Sequence, residues 1–295
     1  MTTYTKLKKS TADVIERSGG KIRLTSAGER NWSVQLTLIV LVVLTVITFL
    51  RMQYGTVDLG KATSQAFSDF FAMIFQPALD PPLGASHFTW ATVFQSALVT
   101  IAVTLVCTVL SAIVSFFLAI AASANLSNPA VSNVVKGFCA IIRSIPTILW
   151  VLVFTVAIGL GSEAAVLGIS FHSISYLTKS YSESFEEIDE DVIEALRATG
   201  ANFWEIVFQA ICPATITKLI SWTFIRFEIN YTNAVAVGAF AGAGGIGYQL
   251  YQAGTRYYNL HEVGVIVYAC LIVAFILEYV SVQLRKRYIL NSTAA

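Results

Sequence analysis

WATVFQSALVTIAVTLVCTVLSAIVSFFLAIAA (Trp90–Ala122) runs without a single charged residue. A helix needs roughly 20 apolar residues to cross the hydrocarbon of a bilayer. This run is longer, so it reads as a tilted span or one that continues beyond the lipid. A soluble domain has no use for such a stretch. The rest of the chain agrees: of 295 residues, 56% are hydrophobic and 13% charged, against roughly 25% charged in soluble domains. The net charge of +1 gives no general basis for nucleic-acid binding.

Comparable apolar segments lie on both sides. Upstream, residues 1–31 are polar and basic, with Lys6, Lys8, Lys9, Arg17, Lys21, Arg23 and Arg30, and Trp32 to Leu50 is then apolar. The basic stretch is too long for a signal peptide, and no A-x-A site follows, so the segment is read as a first membrane helix. Residues 52–89 hold a short amphipathic stretch, Phe67 to Phe75, before Pro77, Pro81 and Pro82, and read as an extracytoplasmic loop. Downstream, a third segment covers about Val134 to Ile158, interrupted by Arg143 and Pro146. A fourth, more polar one covers about Ala164 to Tyr181. A fifth covers about Ala214 to Val237. The sixth runs from about Val263 to Leu284 and is closed by Arg285, Lys286 and Arg287.

Basic residues near span ends face the cytoplasm. Placing both the N-terminal tail and the Arg285–Arg287 cluster there demands an even number of spans, and six satisfies it. The expected architecture is therefore an all-α, polytopic membrane protein of about six helices. Residues 182–213 then fall in the cytoplasm, and the loops with Lys61 and Arg256 fall outside.

Residues 182–213 carry the densest local signals. Glu186, Glu187, Asp189, Glu190 and Asp191 precede Val192 to Thr199, and acids at a helix start suit its macrodipole. Gly200 can end that helix in a left-handed conformation. Asn202 and Glu205 have capping-box spacing for a second helix, Phe203 to Ala210. Pro213 sits where a membrane helix would begin, a position that tolerates the missing N–H. The spacing predicts a helix–Gly–helix element presenting Phe203, Trp204 and Phe208. An ordinary amphipathic loop pair would show much of the same pattern.

Ionisable groups inside apolar segments are costly and generally face a cavity or a partner. Arg143, His172, Arg226 and Glu228 are such groups. On a helix Arg226 and Asn230 share a face and Glu228 points nearly opposite, so Glu228 is expected to pair with another helix or another subunit. The arginines have two readings: structural ion pairs, or a path for an anion, whose oxygens a guanidinium fork matches. Other patterns carry little. Gly242-Ala-Gly244-Gly245-Ile-Gly247 fits G-x-G-x-x-G, but no strand precedes it, so it reads as close helix packing or a broken helix. Cys107, Cys139, Cys212 and Cys270 form no CxxC pair and read as small packing residues. No G-x-x-x-x-G-K-[ST] occurs, and Gly20-Lys21 and Gly60-Lys61 lack the following Ser or Thr. His87 and His261 sit in loops, and no nucleophile–base set is evident.

Glu194-Ala195-Leu196, then Gly200, then Pro213 resembles the EAA loop of ABC importer permeases. Leu196, Ala210 and Cys212 depart from that pattern conservatively. Arg143-Ser144-Ile-Pro146, Phe171-His172-Ser173 and Arg226-Phe-Glu228-Ile-Asn230 resemble the phosphonate permease branch, as does Glu194-Ala-Leu-Arg-Ala-Thr-Gly200; Gly-Ala-Gly-Gly-Ile-Gly after the fifth helix resembles importers of quite different substrates and so speaks for the fold rather than the cargo. The likeness covers roughly residues 90–285. It implies a type I (MetI-like) ABC importer permease core over residues 90–287, preceded by residues 1–31 as tail and 32–89 as first helix and loop, and followed by a tail, 288–295.

The resemblance further implies a cell inner-membrane location, an extracytoplasmic substrate-binding protein, a second permease copy, and two copies of a separate ATPase that would bind ATP and Mg. No cofactor is implied on this chain. Glu194, Ala195, Leu196, Gly200 and Pro213 would couple to the ATPase. Arg143, Ser144, Pro146, His172, Arg226, Glu228 and Asn230 would line the substrate path. The implied cargo is a phosphonate or a related anion such as phosphite. Rival readings are a permease for methionine, a quaternary amine or another oxyanion, a membrane enzyme acting on lipid phosphates, and a passive channel.

Overall fold

The computed structural model describes residues 15–18, 21–24, 32–51, 58–79 and 88–292. Most of the expected tail 1–31, Pro81, Pro82, His87 and residues 293–295 lie outside the described residues. Two compact units divide at Ser64 and Gln65. In the first, β1 (Ile15–Ser18) and β2 (Lys21–Leu24) pair antiparallel with Ile15 opposite Leu24. This hairpin is a small departure from an all-helical chain, within a stretch read as polar tail. Helix α1 (Trp32–Arg51) follows and places Arg51 in its last turn, where a cation suits the helix dipole.

The second unit is a helical bundle. Helix α2 (Leu59–Phe75) enters it, and α3 (Trp90–Ala122) forms over the whole uncharged run, with Thr89 capping its N-terminus. Then come α4 (Pro129–Ser144), α5 (Thr147–Ile158), α6 (Ser162–Glu186), α7 (Glu190–Ala198), α8 (Phe203–Ile206), α9 (Cys212–Ala241), α10 (Gly245–Tyr251) and α11 (Leu260–Ser292). The C-terminal part of α2 seats on the start of α11: Tyr268 Oη donates to the Ile74 carbonyl at 2.7 Å. A Cβ on Gly264 would lie 2.1 Å from the Met73 carbonyl oxygen, so this approach requires glycine.

Among the described residues, four helical stretches are long and apolar enough to cross a membrane: Val34–Arg51, Trp90–Ala122, Phe203–Ala241 and Leu260–Lys286. The segment expected as one third span is instead two helices, α4 and α5, meeting at 90°. The cause is local. The residue before a proline is driven out of the helical region, and Ile145, before Pro146, is extended at φ −100° and ψ 125°. Counted as one bent span, the pair makes five. The fourth expected span, α6, completes the six; it is long enough but more polar, because it lies at the centre of the bundle, packed on α3, α4, α5 and α9. Its side chains meet protein rather than lipid, so serines and threonines replace aliphatics.

That centre is a seam of hydroxyls. Ser111 Oγ donates to the Ser170 carbonyl (3.2 Å) and Ser115 Oγ to the Ile174 carbonyl (2.9 Å), tying α3 to α6. Small residues permit the approach: a Cβ on Gly168 of α6 would come within 2.5 Å of Val151 on α5.

Helix α2 begins at Leu59, ahead of the short stretch expected from Phe67, and three further boundaries differ from the sequence expectation. Residues 182–186, read as polar loop, complete α6, with Ser182 and Ser184 satisfied by their own helix's carbonyls. The helix beginning at Phe203 does not stop before Pro213. It runs into α9 through a π-helical turn, Val207–Ile211, in which the Cys212 N–H reaches the Val207 carbonyl. Helix α11 continues past Arg285–Arg287, which contains no helix-breaking residue, to Ser292.

The glycine-rich segment is a turn and a packing site. Gly242 takes the left-handed conformation that caps α9 (φ 61°). A Cβ on Gly247 would lie 1.8 Å from the Val235 carbonyl oxygen, and one on Gly245 would lie 2.4 Å from Thr100 Oγ1. The Thr100 hydroxyl accepts the Ile246 N–H at 2.9 Å, which seats α10 on α3.

Candidate functional site

Arg226 of α9 is 2% exposed. Its Nε donates to Ser173 Oγ at 2.9 Å, and its Nη2 lies 3.0 Å from His172 Nδ1. Its guanidinium carbon sits 5.0 Å from the centre of the Tyr176 ring. Ser173 Oγ donates on to Asn230 Oδ1 (2.7 Å), and Asn230 Nδ2 donates to Thr108 Oγ1 (3.0 Å). Thr108 in turn bonds the Thr104 carbonyl on α3. One polar chain therefore links α9, α6 and α3, and its partners are all neutral.

That neutrality is the chief electrostatic feature. Burying a guanidinium away from water is costly unless a counter-charge or several hydrogen bonds compensate. Among the described residues no carboxylate lies within 4.0 Å of Arg226 or Arg143. Hydrogen bonds and one aromatic face hold Arg226 in place without cancelling its charge. An anion would find a preorganised cation here. Since an arginine N–H points at His172 Nδ1, that nitrogen is the acceptor, and the imidazole proton lies on Nε2.

Of the residues singled out in the sequence, His172, Arg226 and Asn230 meet in this network. Arg226 and Asn230 share the buried face expected of them. Arg143 attaches to the same helix slightly further along, its Nη1 donating to the Ser175 carbonyl at 2.9 Å. Ser144 and Pro146 are exposed at the α4–α5 bend, where Ser144 Oγ bonds the Ile141 carbonyl. Glu228 lies apart, its Oε1 3.7 Å from Arg285 Nη2 on α11. Sequence reasoning missed Thr108, Tyr176 and Ser173 as partners. One signal for Thr108 was available: Ser96, Thr100, Thr104 and Thr108 recur every fourth residue, a polar stripe within an otherwise apolar run.

The helix–Gly–helix element stands at the other end of α6. Asp189 caps α7, accepting from the Asp191 N–H. Gly200 is left-handed (φ 88°). Gly200 N–H bonds the Arg197 carbonyl and Ala201 N–H the Leu196 carbonyl, the two bonds of a Schellman motif. Both halves of the capping box form: Glu205 N–H to Asn202 Oδ1 at 3.0 Å, and Asn202 N–H to Glu205 Oε2 at 2.6 Å.

Ile193, Ile206 and Val207 are buried in one cluster with Leu177, Phe185 and Leu219 of the bundle helices, and Leu196 packs against it. The element is thus fastened to α6 and α9. Its outer surface leaves Glu194, Ala195, Gly200 and Pro213 exposed. Beside them, Trp204 and Phe208 stack at 5.8 Å and are each about half exposed.

Residues 115–287, more than half of the chain, match the family model described as "Binding-protein-dependent transport system inner membrane component". The chain belongs to that family. It is 29% identical over 197 residues to the phosphate-import permease protein PhnE of Mycolicibacterium smegmatis, covering 66% of this chain and 37% of that protein. It is 28% identical over 209 residues to the phosphite transport system permease protein PtxC of Stutzerimonas stutzeri, covering 70% and 74%. Among solved structures, a permease chain of the inward-facing MetNI methionine ABC transporter superposes with a TM-score of 0.62 at 20% identity, over 69% of this chain and 99% of that one. At that identity the likeness concerns the fold. The chain is thus a multi-pass inner-membrane component of a transport system with the MetI-type helical arrangement.

Proposed function

We propose that this chain is the membrane-spanning subunit of an ATP-driven importer for phosphorus oxyanions, such as phosphonates, phosphite or phosphate. The observation that carries the reading is Arg226: a cation buried at the bundle centre, held by neutral groups, and with no carboxylate within 4.0 Å among the described residues. Arginine's planar fork suits an oxyanion with two or more equivalent oxygens. The named relatives that move phosphate and phosphite support the same class of cargo. A quaternary amine would want free aromatic faces, whereas here Arg226 already occupies the face of Tyr176.

In this reading Arg143, His172, Arg226 and Asn230 line the path, with Ser144 and Pro146 setting the bend beside it. Glu228 keeps α9 and α11 in register through Arg285. Gly242, Gly244, Gly245 and Gly247 are the hinge and packing glycines. Glu194, Ala195, Leu196, Gly200 and Pro213 form the face that docks on the ATPase, and closure of two ATPase copies around ATP and Mg moves two such elements as rigid bodies. The assembly is a homodimer of this chain with one extracytoplasmic binding protein, and both chain ends face the cytoplasm. Residues 90–287 form the permease core, with 182–213 as its coupling loop; residues 1–31, 32–89 and 288–295 are additions to it.

The test is ATP-dependent uptake of labelled methylphosphonate by the reconstituted complex, with unlabelled phosphite, phosphate and methionine as competitors. Competition by phosphite or phosphate but not by methionine is expected. Uptake of methionine with no uptake of any phosphorus oxyanion would overturn the cargo assignment.

A further inference from the structure

The network around Arg226 explains how an anion is held but not how it leaves. Helix α6 carries a second set of charges beyond it. His172, Tyr176, Lys179, Glu183 and Glu186 recur at intervals of four and three residues, so they share one face. At about 1.5 Å per residue, the stretch from Ser173 to Glu183 covers about 15 Å. On α4, Lys136 and Arg143 are seven residues apart, two turns on one face. The two faces enclose a cavity of about 340 Å³ lined by Lys136, Arg143, Lys179, Glu183 and Glu186.

The pairing inside this cavity is uneven. Lys136 Nζ bonds Glu186 Oε1 at 2.7 Å, and that oxygen also accepts the Ala124 N–H at 2.7 Å. Lys179 Nζ stands 3.6 Å from Glu183 Oε1, both side chains being 55% exposed. Among the described residues, Arg143 has only the Ser175 carbonyl. Three cations thus face two carboxylates, and the unneutralised one lies nearest the Arg226 end of α6. A water molecule takes about 30 Å³ of liquid, so the space admits a hydrated oxyanion.

We propose that this cavity is the exit station of the path, a low-affinity site where a phosphorus oxyanion passes from Arg226 and His172 to Arg143 and then to Lys179 and Lys136. This rests on the cargo reading above. Glu183 and Glu186 are the release groups. They compete with the anion for the lysines; the exposed, 3.6 Å Lys179–Glu183 pair is weak enough to exchange, while the half-buried Lys136–Glu186 pair is the firmer of the two. The anion is accepted without being trapped, because each lysine has a carboxylate to return to. The same oxyanion chemistry is found in phospholipid headgroups, so the test separates the two sources.

The experiment uses the intact complex in liposomes and measures methylphosphonate uptake together with binding-protein-stimulated ATP hydrolysis. The double variant Lys136→Gln with Lys179→Gln is expected to lower uptake about tenfold, as for lost charge-assisted contacts, while hydrolysis stays within about twofold. Glu183→Gln, which frees Lys179 to retain the anion, is expected to slow uptake severalfold with hydrolysis again preserved.

Unchanged uptake in the double variant overturns the proposal, and so does a parallel loss of hydrolysis, which would place these lysines in ATPase coupling. Replacing anionic by zwitterionic lipid gives the third arm. If that change lowers uptake by the parent and leaves the double variant unaffected, the lysines hold a headgroup and the proposal fails. A parent that carries no phosphorus oxyanion refutes the cargo reading first, and this inference with it. A parent that does so, with a fully active double variant, refutes this inference alone.

Discussion

The Arg226 network and the α7–α8 element are both anchored to α6 and α9 yet are built by opposite means. The network is assembled across helices: Arg226 and Asn230 on α9 reach Ser173 on α6 and Thr108 on α3, residues 53 to 122 positions apart in the chain. Its partners are neutral and buried. The α7–α8 element is made by neighbours: Asp189 with Asp191, Leu196 with Ala201, Asn202 with Glu205. Its polar groups are exposed, and its apolar side chains on the bundle cluster are what fasten it. The first arrangement stores an uncompensated charge in a low-dielectric place. The second presents a stiff, charged and aromatic surface to water. On the proposed function the first region meets an ion and the second transmits force, so the two are expected to fail differently when altered.

The sharpest separation comes from Glu194→Lys. The side chain is exposed, so the fold should tolerate the change within about 0.5 kcal/mol. Like-charge contacts at a docking surface cost several kcal/mol, and uptake and stimulated ATP hydrolysis should fall together by about 100-fold while the protein stays in the membrane. Undiminished uptake would remove Glu194 from coupling. Ser173→Ala should act the other way round. It leaves Arg226 Nε–H and Asn230 Oδ1 without their shared partner, at about 1–3 kcal/mol for each unmet buried group. Uptake should drop about tenfold with hydrolysis nearly intact; equal loss of both would erase the distinction between the two regions.

Smaller effects test the local construction. At Gly200 nothing lies within 4 Å of an added Cβ, so Gly200→Val meets only the cost of a left-handed backbone, about 1–2 kcal/mol. A severalfold fall in both uptake and hydrolysis is expected, with Gly200→Asn milder because asparagine tolerates that conformation. Asn202→Ala removes half of the capping box, worth about 1 kcal/mol. Faster amide exchange at residues 203–206 should result, with uptake reduced no more than about twofold.

The same contrast explains what could be read in advance. Capping and the left-handed glycine depend on residues within a turn or two of each other, so spacing alone revealed them; the break at Pro146 is just as local, yet the segment reads as one interrupted span because its apolar run continues on both sides. The apolar runs gave the bundle its helices, and Trp90–Ala122 matches the observed α3 end to end. The partners of Arg226 depend on which helices lie side by side, and nothing in the spacing of residues 108, 173 and 226 announces that they meet. The polar character of α6 made it look like a weak span, when it is the most enclosed helix. Glu228 could be placed opposite Arg226 by periodicity, but its partner Arg285 required the packing of α11. The π-helical turn before Pro213 left no sign in residue type at all.

On the proposed function, Arg226 is kept uncompensated so that a phosphorus oxyanion can meet it. The most direct test compares Arg226→Gln with the parent in liposomes carrying the full complex, reading methylphosphonate uptake and ATP hydrolysis side by side. Glutamine keeps hydrogen-bonding capacity for Ser173 and His172 while removing the charge. Uptake should fall about 100-fold, the worth of a buried charge-assisted contact, with hydrolysis within about twofold and protein level unchanged. Normal uptake by Arg226→Gln would contradict it and leave Arg226 a structural residue of the bundle.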